Sequence, residues 1–347
     1  MPASNWIVPD ALPPNHLANS LSQALQSTHT SLAQQLDAIL SRYRVEILDS
    51  ACSDFGCTPA QRVRLENLGL TQALSPSEAT LPIGSAHAAL EAQQTDQSQA
   101  IWVAQACSAI VSFQGTLLVE QARLQASSQE LQALADSLTE LDLSNTYGIE
   151  LQSFKPGFWQ VSGQIPSERD SKDAWLPTLQ SVQDQEASDA WPTAEIWRIW
   201  RQCVNEIQMH WHTHPVNQKR QAEGLPVINT LWLSGGARGW TPQPNADAQW
   251  FETFQQHASH GLWSEWLKDW QTLVTQWHTH IFEIKQPQPT VTFTGEDRII
   301  RLTPGKPSVK KLSLGAKIQK LFSRSTPTNS RAGAAQTPEW RNWWNPL

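Results

Sequence analysis

Residues 210 to 236 read HWHTHPVNQKRQAEGLPVINTLWLSGG. They continue a segment that begins at Thr193 and has the apolar periodicity of an amphipathic helix. The stripe predicted to be buried along this helix is Ile196, Trp200, Cys203, Ile207, Trp211 and His214. Pro215 is predicted to end the helix, and the apolar run INTLWLSGG predicts a strand that enters a Gly-Gly loop. The stretch therefore predicts a helix, a polar turn and a strand in succession.

Three histidines at alternate positions, His210, His212 and His214, raise the question of a metal site. In a strand, alternate residues share one face and could hold zinc together. In a helix only His210 and His214 share a face, and the segment lacks the glutamate that follows the first histidine of an HExxH motif. We therefore expect neither a metal nor a cofactor.

Polar and basic side chains gather around the predicted turn. His214 is expected at a helix C-terminus, where the helix dipole favours positive charge. Asn217, Arg220 and Asn229 follow it, and Arg238 comes after the Gly pair. Such a group of donors can bind a small anion, or its members can satisfy one another in a structural turn. Both interpretations stay open, with these five residues as the candidate ligand-binding set.

The rest of the chain alternates predicted helices and strands. Helices are predicted over residues 17–45, 57–70, 127–141 and 262–282, and strands over 100–120, 148–163 and 290–302. Thr58 with Pro59 is expected to begin the second of these helices and Ser128 the third. The mixture indicates an α/β or α+β fold, with a mixed sheet flanked by helices.

Three segments are predicted along the chain. Residues 1–72 form a helical N-terminal segment packed on the core, residues 73–303 form the α/β core, and residues 304–347 form a basic, largely disordered tail. The segment from Arg301 to Leu347, which contains the tail, carries nine Lys and Arg and one acid, Glu339, so its charge is +8. The preceding 300 residues carry 16 basic and 31 acidic residues, a charge of −15, which argues against DNA binding by the core.

The tail ends in WRNWWNPL, where Trp340, Trp343 and Trp344 have helical spacing. This segment could dock into the groove of a protein partner. It could equally fold back on its own domain, and both interpretations stay open.

Composition limits the class of protein. No apolar run is long enough to span a membrane, and the N-terminus lacks the pattern of a secretory signal. The 4 cysteines form no paired CxxC motifs and are expected to be reduced thiols of a cytoplasmic protein. The 18 tryptophans, against 2 tyrosines, are expected to fill the core and its rim; stacking surfaces for a ligand are the other interpretation.

A family resemblance appears in the region that contains residues 210–236. The segment NEIQMHWHTHPVNQKRQAEGLPVINTLWLSGG resembles the signature of RpfE-type regulatory proteins of proteobacteria, a family similar to archaeal-type, cofactor-independent phosphoglycerate mutases. The matching positions are Asn205, Glu206, Gln208, His214, Pro215, Asn217, Arg220, Gly224, Pro226, Asn229, Trp232, Gly235 and Gly236. Ser234 and Ile228 depart from the expected residues. The resemblance is strong over residues 196–240 and weaker elsewhere.

The resemblance implies a mutase-like core that handles a small phosphorylated or carboxylated ligand. Mutases of this kind use a serine nucleophile and two divalent metals held by Asp and His. This chain has no Asp-Gly dipeptide, and Asp10 near its N-terminus is followed by alanine. We therefore expect a pseudoenzyme: a non-catalytic, phosphoglycerate-mutase-like cytoplasmic protein with a regulatory or accessory role.

Two other hypotheses stay open. The chain could be an active cofactor-independent phosphoglycerate mutase or phosphatase, which bound Mn²⁺ or Zn²⁺ in the purified protein would favour. It could also be an interaction protein that acts through its basic tail, in which case deleting residues 304–347 should abolish binding to an anionic surface.

Overall fold

The computed structural model describes residues 5–28, 30–70, 81–112, 115–167, 174–183, 190–283, 287–305 and 344. In these residues the fold is mixed α/β, with two sheets flanked by helices, which confirms the predicted fold class. The chain divides into two compact units. The first unit consists of residues 1–49 and 247–347, and the second of residues 50–246.

The described strands, in chain order, are β1 Asn5–Val8, β2 Tyr43–Asp49, β3 Ala100–Ser112, β4 Gly115–Glu120, β5 Ile149–Lys155, β6 Phe158–Gly163, β7 Thr230–Arg238, β8 Ala248–Trp250, β9 Thr290–Thr294 and β10 Arg298–Pro304. The described α-helices are α1 Ala18–Thr28, α2 Thr30–Leu40, α3 Cys52–Phe55, α4 Pro59–Asn67, α5 His87–Glu91, α6 Gln121–Leu124, α7 Ser128–Ser137, α8 Leu143–Tyr147, α9 Leu179–Val182, α10 Arg198–His212, α11 Pro215–Ala222, α12 Thr253–Ser259 and α13 Trp263–His278. Short 3-10 segments cover Ile83–Ala86, Leu138–Glu140 and Glu195–Trp197, and a π segment covers Thr279–Glu283.

The first unit is built on a sheet with the strand order β2-β10-β9-β1-β8. β1 runs parallel to β8 and β9, whereas β10 is antiparallel to β2 and β9. The strands predicted over residues 290–302 are confirmed, and they pair as a hairpin. Apolar side chains of the strands pack against α2 and α13, and Trp266, Trp270 and Trp277 of α13 are fully buried there. These three tryptophans therefore form part of the core of this unit, as predicted.

The stretch predicted as one helix over residues 17–45 is divided differently. It contains α1 and α2 and then enters β2 at Tyr43. Tyr43 is fully buried, and its hydroxyl accepts a hydrogen bond from Trp277 Nε1 at 3.1 Å. The predicted helix was therefore wrong for residues 43–45, because the tertiary packing of Tyr43 outweighs the local leucine pattern.

The second unit is organised around β3, which is 13 residues long. One edge of β3 pairs with β7, and the other edge pairs first with β6 and then with β4. One face of this sheet packs against α10, whose buried residues are Trp200, Cys203, Val204, Ile207 and Trp211. The predicted buried stripe of this helix is thereby confirmed at its centre, although Ile196, at its start, is 38% exposed.

Two predicted helix boundaries need correction. The third predicted helix is capped by Ser127 rather than Ser128: the Ser127 hydroxyl accepts a hydrogen bond from the Glu130 amide, and the Glu130 carboxylate accepts one from the Ser127 amide. Pro215 does follow the end of α10, but it also occupies the first turn of a further helix, α11. The predicted polar turn is therefore largely helical.

The predicted segment boundaries near residues 72 and 303 stay predictions. They adjoin residues 71–80 and 306–343, which lie outside the described residues, as does the predicted disordered tail apart from its first two residues and Trp344. The segment predicted as helical over residues 1–72 also contains the strands β1 and β2. Within the described chain, no helix is both long enough and apolar enough to cross a membrane.

Candidate functional site

His214 begins a helix rather than ending one. It is the N-cap of α11, and its Nδ1 accepts a hydrogen bond from the Val216 amide at 3.2 Å. The expectation of a helix C-terminus favouring positive charge was therefore wrong for this residue, because the N-terminal end of α11 carries the opposite partial charge. Burial, together with the nearby His210, lowers the pKa of His214, which keeps the imidazole neutral as a capping acceptor requires.

Asn217 closes the loop between α11 and β7. Its side chain is buried, and Nδ2 donates to the carbonyl oxygens of Trp211 at 2.9 Å and Ile228 at 2.8 Å. Its Oδ1 accepts a hydrogen bond from the Ile228 amide at 2.9 Å. Both ends of the amide therefore join the end of α10 to the residues that precede β7.

Arg220 is fully buried and has three hydrogen-bond partners. Its Nε donates to the Pro226 carbonyl at 2.7 Å, its Nη2 to the Leu124 carbonyl at 2.6 Å, and its Nη1 to the Glu130 carboxylate at 3.0 Å. Partial burial would raise the pKa of Glu130, but hydrogen bonds from Ser127 and Arg220 outweigh it and lower the pKa. The guanidinium therefore ties α11 to α7 as an ionised pair.

Asn229 and Arg238 lie at opposite ends of β7. Asn229 precedes the strand and forms a two-way amide clamp on β3: Oδ1 accepts from the Ala109 amide at 2.7 Å, and Nδ2 donates to the Ala109 carbonyl at 3.0 Å. Arg238 ends the strand opposite Ala100 and lies about 30 Å from Asn229 at the usual rise per residue. The structure thus groups His214, Asn217 and Arg220 but not Arg238.

The polar atoms of this predicted set are extensively used within the fold, so the structural interpretation accounts for the geometry of Asn217, Arg220 and Asn229. Ligand binding by the five residues stays a prediction. Among the described residues, no group of three or more His, Cys, Asp or Glu side chains is placed to hold a metal ion.

A cleft of about 510 Å³ lies elsewhere in the second unit. Its floor is on the sheet face opposite α10, and its lining reaches Ala126 and Leu131, which pack in the core on the α10 side. Strand register places Val103 and Gln105 of β3 beside Phe158 of β6 and Ser234 of β7, and these four residues line its floor. Two separate apolar clusters cover this face on either side, one around α5 and one around α9. The cleft is the gap that these clusters leave uncovered.

Gln105 is the polar centre of the floor. Residues alternate along a strand, so Ile101, Val103, Gln105 and Cys107 share one face of β3, and Gln105 alone among these four has a polar amide. Its side chain is 9% exposed, and the described residues provide no hydrogen-bond partner for it. The amide is not fully enclosed by protein, so its position in the cleft indicates a place where a ligand or water completes its hydrogen bonding.

The rim of the cleft on the α5 side carries an ion pair. Lys155 Nζ lies 2.5 Å from the Glu91 carboxylate and 3.7 Å from the centre of the Phe158 ring. Burial would raise the pKa of Glu91, but the hydrogen bond from Lys155 and the nearby positive groups lower it. Glu91 therefore neutralises the only lysine among the residues that line the described cleft.

A network of amides and a histidine forms another wall. Gln61 caps α4 with Thr58 and donates from Nε2 to Gln180 Oε1 at 3.1 Å, and Gln180 in turn donates to the Glu120 carboxylate at 2.9 Å. His87 Nε2 lies 3.4 Å from Gln61 Nε2, which favours an unprotonated Nε2 that accepts from the amide. Burial lowers the pKa of His87, so its imidazole is neutral near pH 7.

The charges of the lining decide which ligands fit. With His87 neutral, the ionised side chains are Lys155, Glu91 and Glu120, so the lining sums to −1. The cleft thus offers hydrogen-bonding groups without excess positive charge. That combination suits an uncharged ligand rich in donors and acceptors better than a phosphate or a carboxylate.

Sequence reasoning missed this cleft. One signal was present: Gln105 interrupts the otherwise apolar run AIWVAQAC over residues 100–107. The other lining residues come from segments far apart in the chain, and no local pattern brings them together.

Comparisons with known proteins leave the family open. No protein-family model matches the chain, and no curated protein matches it. Solved structures similar to it include the PH0037 protein from Pyrococcus horikoshii, at 13% identity and a TM-score of 0.41, with 87% of each chain covered. They also include a cofactor-independent phosphoglycerate mutase from Thermoplasma acidophilum, at 13% identity and a TM-score of 0.30, with 90% of this chain and 94% of that chain covered. Likenesses this weak support no statement about activity.

Proposed function

We propose that this protein is a non-catalytic binding protein, with a regulatory or accessory role, that takes a small uncharged ligand in the cleft above Gln105. The observation that carries the proposal is Gln105, a residue nine-tenths buried whose side-chain amide lies at the floor of the cleft without a hydrogen bond to another described residue. An amide can donate and accept at once, so it suits a hydroxyl or another amide. A polyol or a carboxamide is the expected ligand class.

The electrostatics of the cleft support an uncharged ligand. Lys155 is already paired with Glu91, and His87 is held neutral by burial. A phosphate or carboxylate would have to displace Glu91 from Lys155 and would face the Glu120 carboxylate across the same cleft. Both steps cost free energy that an uncharged hydrogen-bonding ligand avoids.

The sequence resemblance extends this proposal to a family and to a second set of candidate residues. The resemblance of residues 205–236 described above is what supports the further proposal of an RpfE-type, phosphoglycerate-mutase-like regulatory protein acting in the cytoplasm. The set His214, Asn217, Arg220, Asn229 and Arg238 stays a predicted site for a phosphorylated or carboxylated ligand. Turnover of 3-phosphoglycerate to 2-phosphoglycerate near the roughly 1–10³ s⁻¹ usual for enzymes would contradict the non-catalytic role.

The test of the cleft is a titration of the full chain with myo-inositol and, separately, with 3-phosphoglycerate. The matched variants are Gln105→Leu, which removes the floor amide, and Gln160→Leu, which removes an amide from the same sheet face outside the cleft lining. We expect myo-inositol to raise the melting temperature of the wild type and of Gln160→Leu but not of Gln105→Leu. Stabilisation by 3-phosphoglycerate alone, independent of Gln105, would reject the cleft as the site.

A further inference from the structure

Trp344 lies in the core of the first unit, far along the chain from the rest of that core. Thirty-eight residues separate it from Gly305, the last residue before it that the structure describes. Its side chain is fully buried, with ring centroids 5.4 Å from Trp266 and 5.6 Å from Trp270. The contact favours the interpretation in which the terminal segment folds back on its own domain over docking into a protein partner.

The surface that receives Trp344 consists of Trp266 and Trp270 of α13 and Arg298 of β10, and is called the Trp socket below. Arg298 Nη2 donates to the Trp344 carbonyl oxygen at 3.1 Å. The socket thus recognises two features together, a large flat ring and the backbone carbonyl of the same residue. Tryptophan and arginine are the residues that most often dominate peptide and protein recognition.

Residues other than Trp344 hold the socket in shape. Trp266 Nε1 donates to the Asp10 carbonyl at 2.9 Å, and Trp270 Nε1 donates to the Ala11 carbonyl at 3.1 Å. These bonds fix the orientation of both rings without any contribution from the terminal segment.

Arg298 is fixed in the same way. Its Nη1 donates to Asn15 Oδ1 at 3.1 Å and to Asp297 Oδ1 at 2.6 Å, while Nη2 points to the Trp344 carbonyl. A guanidinium already held on one side costs little further ordering when it binds a carbonyl on the other. The socket is therefore preorganised for a tryptophan-bearing segment.

We propose that the Trp socket is a peptide-docking site whose ligand is the chain's own C-terminal segment, residues 337–347, bound in cis and able to leave. Covalent attachment makes this binding intramolecular, so the segment competes at a high effective concentration with any other peptide. The same segment supplied as a separate peptide then binds once the attached copy is disabled. This inference concerns the first unit and is independent of the proposed cleft ligand.

The test uses a fluorescently labelled peptide of sequence TPEWRNWWNPL, residues 337–347, and the full-length chain. The chain carries either Trp344 or Trp344→Ala, and binding is followed by fluorescence anisotropy. We expect the peptide to bind Trp344→Ala at least about tenfold more tightly than it binds the wild type. A peptide in which Trp344 is replaced by alanine should not bind either chain.

A second pair of variants locates the site. In the Trp344→Ala chain, the further change Arg298→Lys should weaken peptide binding, because lysine loses the fixed fork that reaches the carbonyl. Lys268→Arg on α13, whose side chain is 66% exposed and paired with Glu265, serves as the control and should leave binding unchanged.

Three results would overturn the proposal. One is a folded Trp344→Ala chain that binds no peptide, and another is equal binding by the wild type and Trp344→Ala. The third is that Trp344→Ala and Trp344→Leu are both unfolded and that added peptide restores neither the circular dichroism of the folded protein nor a cooperative melt. The segment would then be an inseparable part of the core.

Discussion

Replacing Arg220 by methionine distinguishes a structural role from an anion-binding role for the polar residues that follow His214. If the guanidinium is a structural tie, its loss destabilises the protein whether or not an anion is present. If it is an anion ligand, its loss removes binding and changes stability little. Methionine keeps an unbranched apolar stem of similar length, so the change mainly removes the hydrogen bonds and the charge.

The magnitude follows from the partners of Arg220. Removing one member of a buried ion pair costs roughly 3–5 kcal/mol. Glu130, the stranded partner, has a side chain that is 22% exposed and keeps its hydrogen bonds from Ser127, so its charge is partly solvated. The carbonyls of Pro226 and Leu124 also lose their donor. We therefore expect a loss near the lower end of that range, about 3 kcal/mol.

Urea denaturation followed by tryptophan fluorescence measures this loss, as a lower midpoint with an unchanged slope. The matched control is Lys219→Met, next to Arg220 on the same helix. Lys219 is 70% exposed, and its Nζ lies 3.9 Å from the Glu223 carboxylate. An exposed pair of this kind contributes little, so the control should change the free energy of unfolding by less than about 0.5 kcal/mol.

Two results together would contradict a structural role for Arg220. Arg220→Met would lose less than about 1 kcal/mol in its free energy of unfolding, and added phosphate would stabilise the wild type but not the variant. Arg220 would then be an anion ligand, and the predicted set around His214 would replace the cleft as the leading site.

Two further predictions concern a buried acid and a helix cap. Burial raises the pKa of Asp10 to about 6, so the folded state holds this proton more tightly than the unfolded chain and the free energy of unfolding falls as pH rises from about 4 to about 6. Asparagine tolerates the positive φ of 54° at this position, so Asp10→Asn should reduce that fall in the free energy of unfolding by on the order of 1–2 kcal/mol. Urea denaturation at several pH values across this range measures the effect, and a variant with the same dependence of stability on pH as the wild type would contradict the assignment. Ser127→Ala should lower the free energy of unfolding by about 1 kcal/mol in the same assay, whereas Ser128→Ala, one residue inside the helix, should not; equal effects would contradict the capping assignment.

Local patterns predicted much of the fold. The apolar stripe of α10 was correct at Trp200, Cys203, Ile207 and Trp211, because helical periodicity records which face is buried. The cap and proline at Thr58 were also correct. The same pattern, a capping residue followed by proline, recurs at His214 and Pro215, and interpreting that proline only as a helix end hid α11.

Long-range structure could not be predicted in the same way. β1 pairs with β9, almost 300 residues later in the chain, and nothing near either strand specifies that partner. The candidate cleft has the same origin, since Gln105, Lys155, Gln180 and Ser234 come together only through the second sheet and its covering helices. Polar residues near a turn were visible in the sequence, but their hydrogen bonds to distant carbonyls, such as Arg220 to Leu124, were not.

An NMR titration of the full chain with myo-inositol, followed at the side-chain amide signal of Gln105, tests directly whether an uncharged ligand binds in the cleft. The signal is assigned by its disappearance in Gln105→Leu, and the signal of Gln160 is the internal reference. The cleft account predicts that the Gln105 amide signal shifts in a saturable manner while the Gln160 signal stays in place. A Gln105 signal that does not move, with shifts at Asn217 and Asn229 on addition of 3-phosphoglycerate, would contradict it.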